Sequence, residues 1–238
     1  SSGSGKTCLL LQMLLEPGFM DYNNLIIYTP TKSQQEYQLL YHGFSNGLSK
    51  NDVAAILLNQ DQFRNIPIPT LCKKYAELHR FTHTSDKQSE GASHGGPITV
   101  MLTDKIGDLI RPNDLDKSKK HLIIFDDVIT STGQDILASY FIKGRHNSCN
   151  SIYLSQSYFK LDNIIRLNAN VLILFKLNQR NKTDIYSSVV GTIMDKKEFD
   201  ALANNVWSKK HKYLSINKET ERIIDDIFNE ESDSDNSD

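Results

Sequence analysis

The first seven residues have the types and spacing to hold a phosphate. Ser1-Ser2-Gly3-Ser4-Gly5-Lys6-Thr7 fills the last three places of the pattern G-x-x-x-x-G-K-[ST] with Gly5, Lys6 and Thr7. Gly3 and Gly5 allow backbone angles that other residues resist, so successive N–H groups, Ser4 among them, can turn inward around an anion. A helix beginning here adds its positive end, and Cys8 is the first residue past the motif. The nucleotide-binding set is therefore Gly3, Ser4, Gly5, Lys6, Thr7 and Cys8. Lys6 would reach the β- and γ-phosphate oxygens of ATP, and the Thr7 hydroxyl would ligate Mg²⁺. A Gly/Ser-rich flexible terminus is the bland alternative. The apolar run over 8–15 argues against it, because a buried helix follows a phosphate loop. The pattern's first glycine would fall one residue before Ser1, and no initiator methionine is present. The expectation is a fragment cut inside its own nucleotide site, with the strand that feeds the loop upstream.

A second set of chemical residues closes His121-Leu122-Ile123-Ile124-Phe125-Asp126-Asp127. Four apolar residues followed by two acids is the form of the strand that ends at Mg²⁺ in phosphate-loop ATPases. Asp126 would support the ion, directly or through water. Asp127 stands where a carboxylate activates the attacking water. That residue is usually glutamate, and the shorter aspartate must sit closer or use an extra water. A third strand, residues 151–154, stops at Ser155-Gln156-Ser157. An amide at a strand tip can touch both the γ-phosphate and the attacking water, which makes Gln156 a candidate sensor.

These residues need elements to position them. Short apolar runs over 25–28, 122–125, 151–154 and 171–175 read as buried strands. Helical patterns cover 34–44, 52–59, 71–80, 131–143, 161–167, 183–190 and 196–207. Asn51 or Asp52 is expected near the cap of the second of these. Residues 98–102 suit a short strand or an edge hairpin, and 213–216 alternate like an edge strand. Residues 85–97 read as an exposed loop. Strands separated by helices predict an α/β fold, a mostly parallel sheet sandwiched by helices, with the active site at the strands' carboxyl ends. The expected domain spans 1–224, and 225–238 is expected to be an acidic, disordered tail.

Composition is that of an ordinary globular chain, 39% hydrophobic and 24% charged over 238 residues. No apolar run approaches a membrane span and no signal peptide is visible. Cys8, Cys72 and Cys149 are scattered, which suits free thiols in a reducing compartment. Cys72, His79 and His83 suggest zinc, but the ligand count is short. The tail carries seven acidic residues and no basic ones. Without it the net charge of −2 becomes about +5, compatible with nucleic acid without demonstrating it. Lys196-Lys197 and Lys209-Lys210-His211-Lys212 could face DNA or simply solvent.

The order Gly-Ser-Gly-Lys-Thr, Leu-Ile-Ile-Phe-Asp-Asp, Gly-Arg-His-Asn and Ile-Tyr-Leu-Ser-Gln-Ser-Tyr-Phe resembles the viral genome-packaging ATPases. These form the poxvirus-like branch of the FtsK–HerA superfamily, also found in Maverick/Polinton elements and virophages. The resemblance covers residues 1–176, and the Gly-Arg-His to Ser-Gln-Ser segment makes it specific. It implies a phosphate-loop NTPase fold and a homo-oligomeric, hexameric ring that translocates double-stranded DNA into a capsid. Capsid or portal protein would be a partner and membrane would not. The place of work would be inside the host cell (cytoplasm, virus factory or nucleus) or in the virion. It further implies that the sensor strand lies between the loop's strand and the Asp-Asp strand. Arg145 then occupies the place of a finger that enters the neighbour's site, where a guanidinium offsets charge on the transferred phosphoryl group. A cation capping its helix is the competing role for Arg145. Arg166 and Arg180 are reserve fingers. Three readings stay open: the packaging motor, another phosphate-loop translocase or helicase, and a nucleotide-binding scaffold that does not hydrolyse.

Overall fold

The structure, a computed structural model, describes residues 5–83, 97–128 and 133–228, without the side chains of 79–83. It falls into two compact units, Leu10–Asn168 and a second made of Ser1–Leu9 with Ala169–Asp238. Helix α1 (Lys6–Leu15) begins in the second unit and continues into the first.

The larger unit is built on a parallel sheet. Its strands are β1 (Asn24–Tyr28), β2 (Thr99–Thr103), β3 (His121–Asp126) and β4 (Cys149–Leu154). They lie in the order β2-β1-β3-β4, every pair parallel. Side chains alternate between the two faces, as the period of two requires. Leu25, Ile27, Leu122 and Ile124 enter one core with Leu10, Leu11 and Leu14 of α1. Helices α2 (Gln35–Ser45), α3 (Lys50–Leu58) and α4 (Ile68–His83) pack on that same core. Ile26, Tyr28, Ile123 and Phe125 enter the other core. There they meet α5 (Gln134–Lys143) and α6 (Asn163–Asn168). Helices on both faces leave β3 buried along its length apart from its last residue. Each large side chain so buried stabilises the fold by about 1.5–3 kcal/mol.

The smaller unit is antiparallel. Strands β5 (Val171–Phe175), β6 (Tyr213–Asn217) and β7 (Arg222–Ile224) lie in that order. Helices α7 (Gln179–Ser188) and α8 (Lys196–Trp207) belong to it. Trp207 donates its indole N–H to the Leu174 carbonyl at 3.2 Å, and buried Lys182 pairs with Asp200 at 2.9 Å.

Several sequence expectations change. Of the two readings of 98–102 the short strand holds: residues 99–103 form a parallel edge strand, and β2 pairs only with β1 among the described residues. Strand β6 is central and buried, since β5 covers one side and β7 the other. The cap of α3 is Ser49: its hydroxyl accepts the Asp52 N–H, and the Asp52 carboxylate accepts the Ser49 N–H. Asp52 is thus the partner in a capping box, not the cap. Gly3, Ser4, most of the expected loop at 85–97 and tail residues 229–238 lie outside the described residues.

Candidate functional site

Asp126 is the last residue of β3, and the chain must turn there to leave the sheet. The carboxylate is half-buried, and its Oδ2 accepts a hydrogen bond from the Tyr37 hydroxyl at 2.7 Å. Tyr37 is fully buried in the first turn of α2. Burial, and then the charge of Asp126, push its phenol far above the usual range, so it remains a neutral donor.

Asp127 follows in the left-handed region, with φ 55°, and is exposed. Few residues other than glycine adopt that angle, although aspartate tolerates it better than most. Its N–H donates to the Leu154 carbonyl at 3.3 Å, tying the turn to the end of β4. Two residues past that carbonyl, Gln156 Nε2 stands 3.5 Å from both Asp127 oxygens, the outer limit of a hydrogen bond. Asp126, Asp127 and Gln156 therefore meet at the carboxyl ends of two adjacent parallel strands. Tyr153, one residue before Leu154, has a buried hydroxyl without a hydrogen-bond partner among the described residues. Burial, then the charge of Asp127, pushes its pKa up to about 12.

Arg145 lies elsewhere in the same unit. It is exposed in the 3₁₀ turn Gly144–Asn147 that leads into β4, at the sheet's opposite end from Gln156. The six residues of β4 span about 20 Å. Gly144 sets this corner by close approach: a Cβ there would come within 2.7 Å of the Cys149 carbonyl oxygen. Of the reserve fingers, Arg166 lies over its own Tyr158 and Phe159 rings at 5.6 and 5.8 Å. Arg180 is exposed at the start of α7.

The start of the chain is organised in the antiparallel unit. Gly5 has φ 89°, and its carbonyl accepts the Leu9 N–H at 2.9 Å, so it stands at the N-cap of α1. Lys6, Thr7 and Cys8 form the first turn, whose N–H groups have no acceptor within a helix. A Cβ on Gly5 would meet Phe175 Cε1 at 3.2 Å and His211 Nδ1 at 3.3 Å. The turn Lys209-Lys210-His211-Lys212 thus approaches Gly5 through His211, itself at φ 64°. Sequence reasoning had weighed this turn only for DNA or solvent. Tyr37 was missed as well, since nothing in its helical pattern separates it from a core aromatic.

The donors present suit the expected ligands. A carboxylate and a hydroxyl are hard oxygen ligands of the kind Mg²⁺ prefers, usually with retained waters. A Cβ at Gly5 would press on Phe175 and His211, and its φ of 89° resists any L side chain. No cluster of three His, Cys, Asp or Glu side chains could hold a metal among the described residues. Cys72 is enclosed in apolar core, while the side chains of His79 and His83 lie outside the described residues. All three cysteines are free, Cys8 exposed and Cys72 and Cys149 buried. No helix among the described residues is long and apolar enough to cross a membrane.

No family model matches the chain. No curated protein matches it either. Two solved structures are similar. VirB4 of Thermoanaerobacter pseudethanolicus is 14% identical with a TM-score of 0.48, covering 94% of this chain and 86% of that one. The genome packaging NTPase B204 from Sulfolobus turreted icosahedral virus 2, solved in complex with AMP, is 12% identical with a TM-score of 0.42. That match covers 86% of this chain and 96% of the other.

Proposed function

We propose that the chain is a Mg²⁺-dependent ATPase that works as a subunit of a DNA-translocating ring and packages a virus-like genome. The observation that carries the hydrolytic part is the meeting of Asp126, Asp127 and Gln156 at one end of β3 and β4. Two carboxylates and an amide so placed divide the labour of hydrolysis: Asp126 supports the ion, Asp127 takes the proton of the attacking water, and Gln156 orients that water. The motif assigns the phosphates to Lys6 and the first-turn N–H groups of α1, and a metal-ligand role to Thr7 as to Asp126. The ion itself supplies charge neutralisation at the phosphate oxygens.

Arg145 acts on a neighbouring subunit in this reading. The length of β4 is too great for one side chain to span to its own Asp127. A finger supplied in trans makes hydrolysis depend on assembly. The DNA-translocating and packaging role rests on the motif order over 1–176, with double-stranded DNA as the track.

The test is ATP turnover with and without double-stranded DNA, with Lys6→Ala as the control. DNA-stimulated turnover that Lys6→Ala abolishes is expected. Tight ATP binding without turnover would leave a nucleotide-binding scaffold, and stimulation only by a small acceptor would sink the motor. For Arg145, mixing Arg145→Ala with Lys6→Ala subunits should restore activity, and no rescue would count against action in trans.

A further inference from the structure

Three buried tyrosines of the larger unit donate their hydroxyls within it. Tyr22 donates to the Leu14 carbonyl at 2.9 Å, and Tyr140 donates to the Ile110 carbonyl. Both close ordinary backbone acceptors. Tyr37 differs, because its acceptor is the Asp126 carboxylate. A hydrogen bond to an ionised group is shorter and about twice as strong as one between neutral groups. Bonding Oδ2 also restrains the carboxylate, and with it the direction of the other oxygen.

The donor is itself held firmly. Tyr37 is fully buried, and its neighbours on α2, Leu39, Leu40 and Phe44, are in the core. The segment between β1 and α2 is closed by side chains. Thr29 and Thr31 hydroxyls lie 3.0 Å apart, Gln34 Nε2 donates to Thr31 Oγ1 at 2.7 Å, and Gln38 Nε2 donates to the Lys32 carbonyl at 2.8 Å. Strand β1 lies beside β3. The helix that follows β1 thus reaches, through Tyr37, the acid at the tip of β3.

From this we infer that Tyr37 is a positioning residue for the divalent cation: it acts through Asp126 and sets how tightly the site takes the ion. The inference rests on the reading of Asp126 as a metal ligand. Hydrogen-bond partners of metal ligands change metal affinity by about 10–100-fold when removed. Tyr37→Phe keeps the ring and deletes only the donor. Tyr22→Phe deletes an equally buried hydroxyl bonded to a backbone carbonyl, and so reports what loss of a buried bond does by itself.

The experiment measures Mn²⁺ binding by electron paramagnetic resonance, in the presence of a non-hydrolysable ATP analogue. Proteins compared are the wild type, Tyr37→Phe, Tyr22→Phe and Asp126→Asn, with thermal midpoints recorded for each. Nucleotide affinity is measured separately in EDTA. Tyr37→Phe should weaken Mn²⁺ binding about 10–100-fold and leave metal-free nucleotide affinity unchanged. Tyr22→Phe should lower the thermal midpoint and leave Mn²⁺ binding at the wild-type value. Mn²⁺ binding within twofold of wild type in Tyr37→Phe overturns the inference, as does equal weakening in Tyr22→Phe. If wild type binds no Mn²⁺ with nucleotide, or Asp126→Asn binds it normally, the metal reading of Asp126 fails first and takes Tyr37 with it.

Discussion

In the parallel sheet every strand leaves at the same end. In the antiparallel sheet neighbouring strands leave at opposite ends. Each arrangement gathers chemistry in its own way. Parallel β3 and β4 put Asp126, Asp127 and Gln156 together because Asp126 ends β3 and the other two follow strand ends. Antiparallel β5 and β6 put the end of one beside the start of the other, Phe175 opposite Tyr213. Phe175 and the turn before Tyr213 then close on Gly5. The parallel sheet collects polar groups from residues far apart in sequence. The antiparallel sheet instead frames a glycine, and its contribution is shape. Substitutions at the parallel tips should therefore cost turnover, and substitutions around Gly5 should cost backbone fit and nucleotide affinity.

The largest effect is expected at Asp127. Asp127→Asn should lower turnover about 10²–10⁴-fold in steady-state assays, the range for losing a general base. Asp127→Gly relieves the φ of 55° and should leave the thermal midpoint no lower than wild type while losing the same activity. A stable, active Asp127→Gly protein would remove Asp127 from the chemistry. At the other end of β4, Gly144→Ala pushes a methyl against the Cys149 carbonyl and should cost about 1–3 kcal/mol in urea unfolding. An unchanged midpoint would mean that the corner holding Arg145 is loose.

Gly5→Ala should cost at least about 1 kcal/mol, because alanine resists a φ of 89°. It should also weaken ATP binding in a titration. His211→Gly in the same protein should recover part of that affinity by clearing one of the two contacts. Tyr153→Phe is a smaller change of opposite sign. Removing a buried hydroxyl without a partner among the described residues should raise stability by about 1 kcal/mol, read from the urea midpoint. The smallest perturbation is alkylation of the native protein. Cys72 and Cys149 are buried, with thiols pushed up to about 11 and about 12 by burial. Cys8 should take a maleimide first, as mass spectrometry of the peptides would show, and ATP should slow it.

Much of the framework was legible without coordinates. Apolar runs between helical periods located β1, β3, β4 and β5; β1 and β3 are buried as such runs require, while β4 and β5 end their sheets among the described residues and are only partly buried. Asp126, Asp127 and Gln156 stood out because polar residues directly after such runs fall at strand ends. Strand β6 was misplaced to an edge because alternation says nothing about how many neighbours a strand has.

The sequence by itself determined which residue types could do chemistry and which element each one ends or begins. Tertiary structure alone decided who meets whom. Tyr37 reaches Asp126 across 89 positions, and His211 approaches Gly5 from near the far end of the chain. Local pattern carries no signal for such pairs. They exist because α2 packs beside the tip of β3, and because an antiparallel pair returns the chain to the point it left.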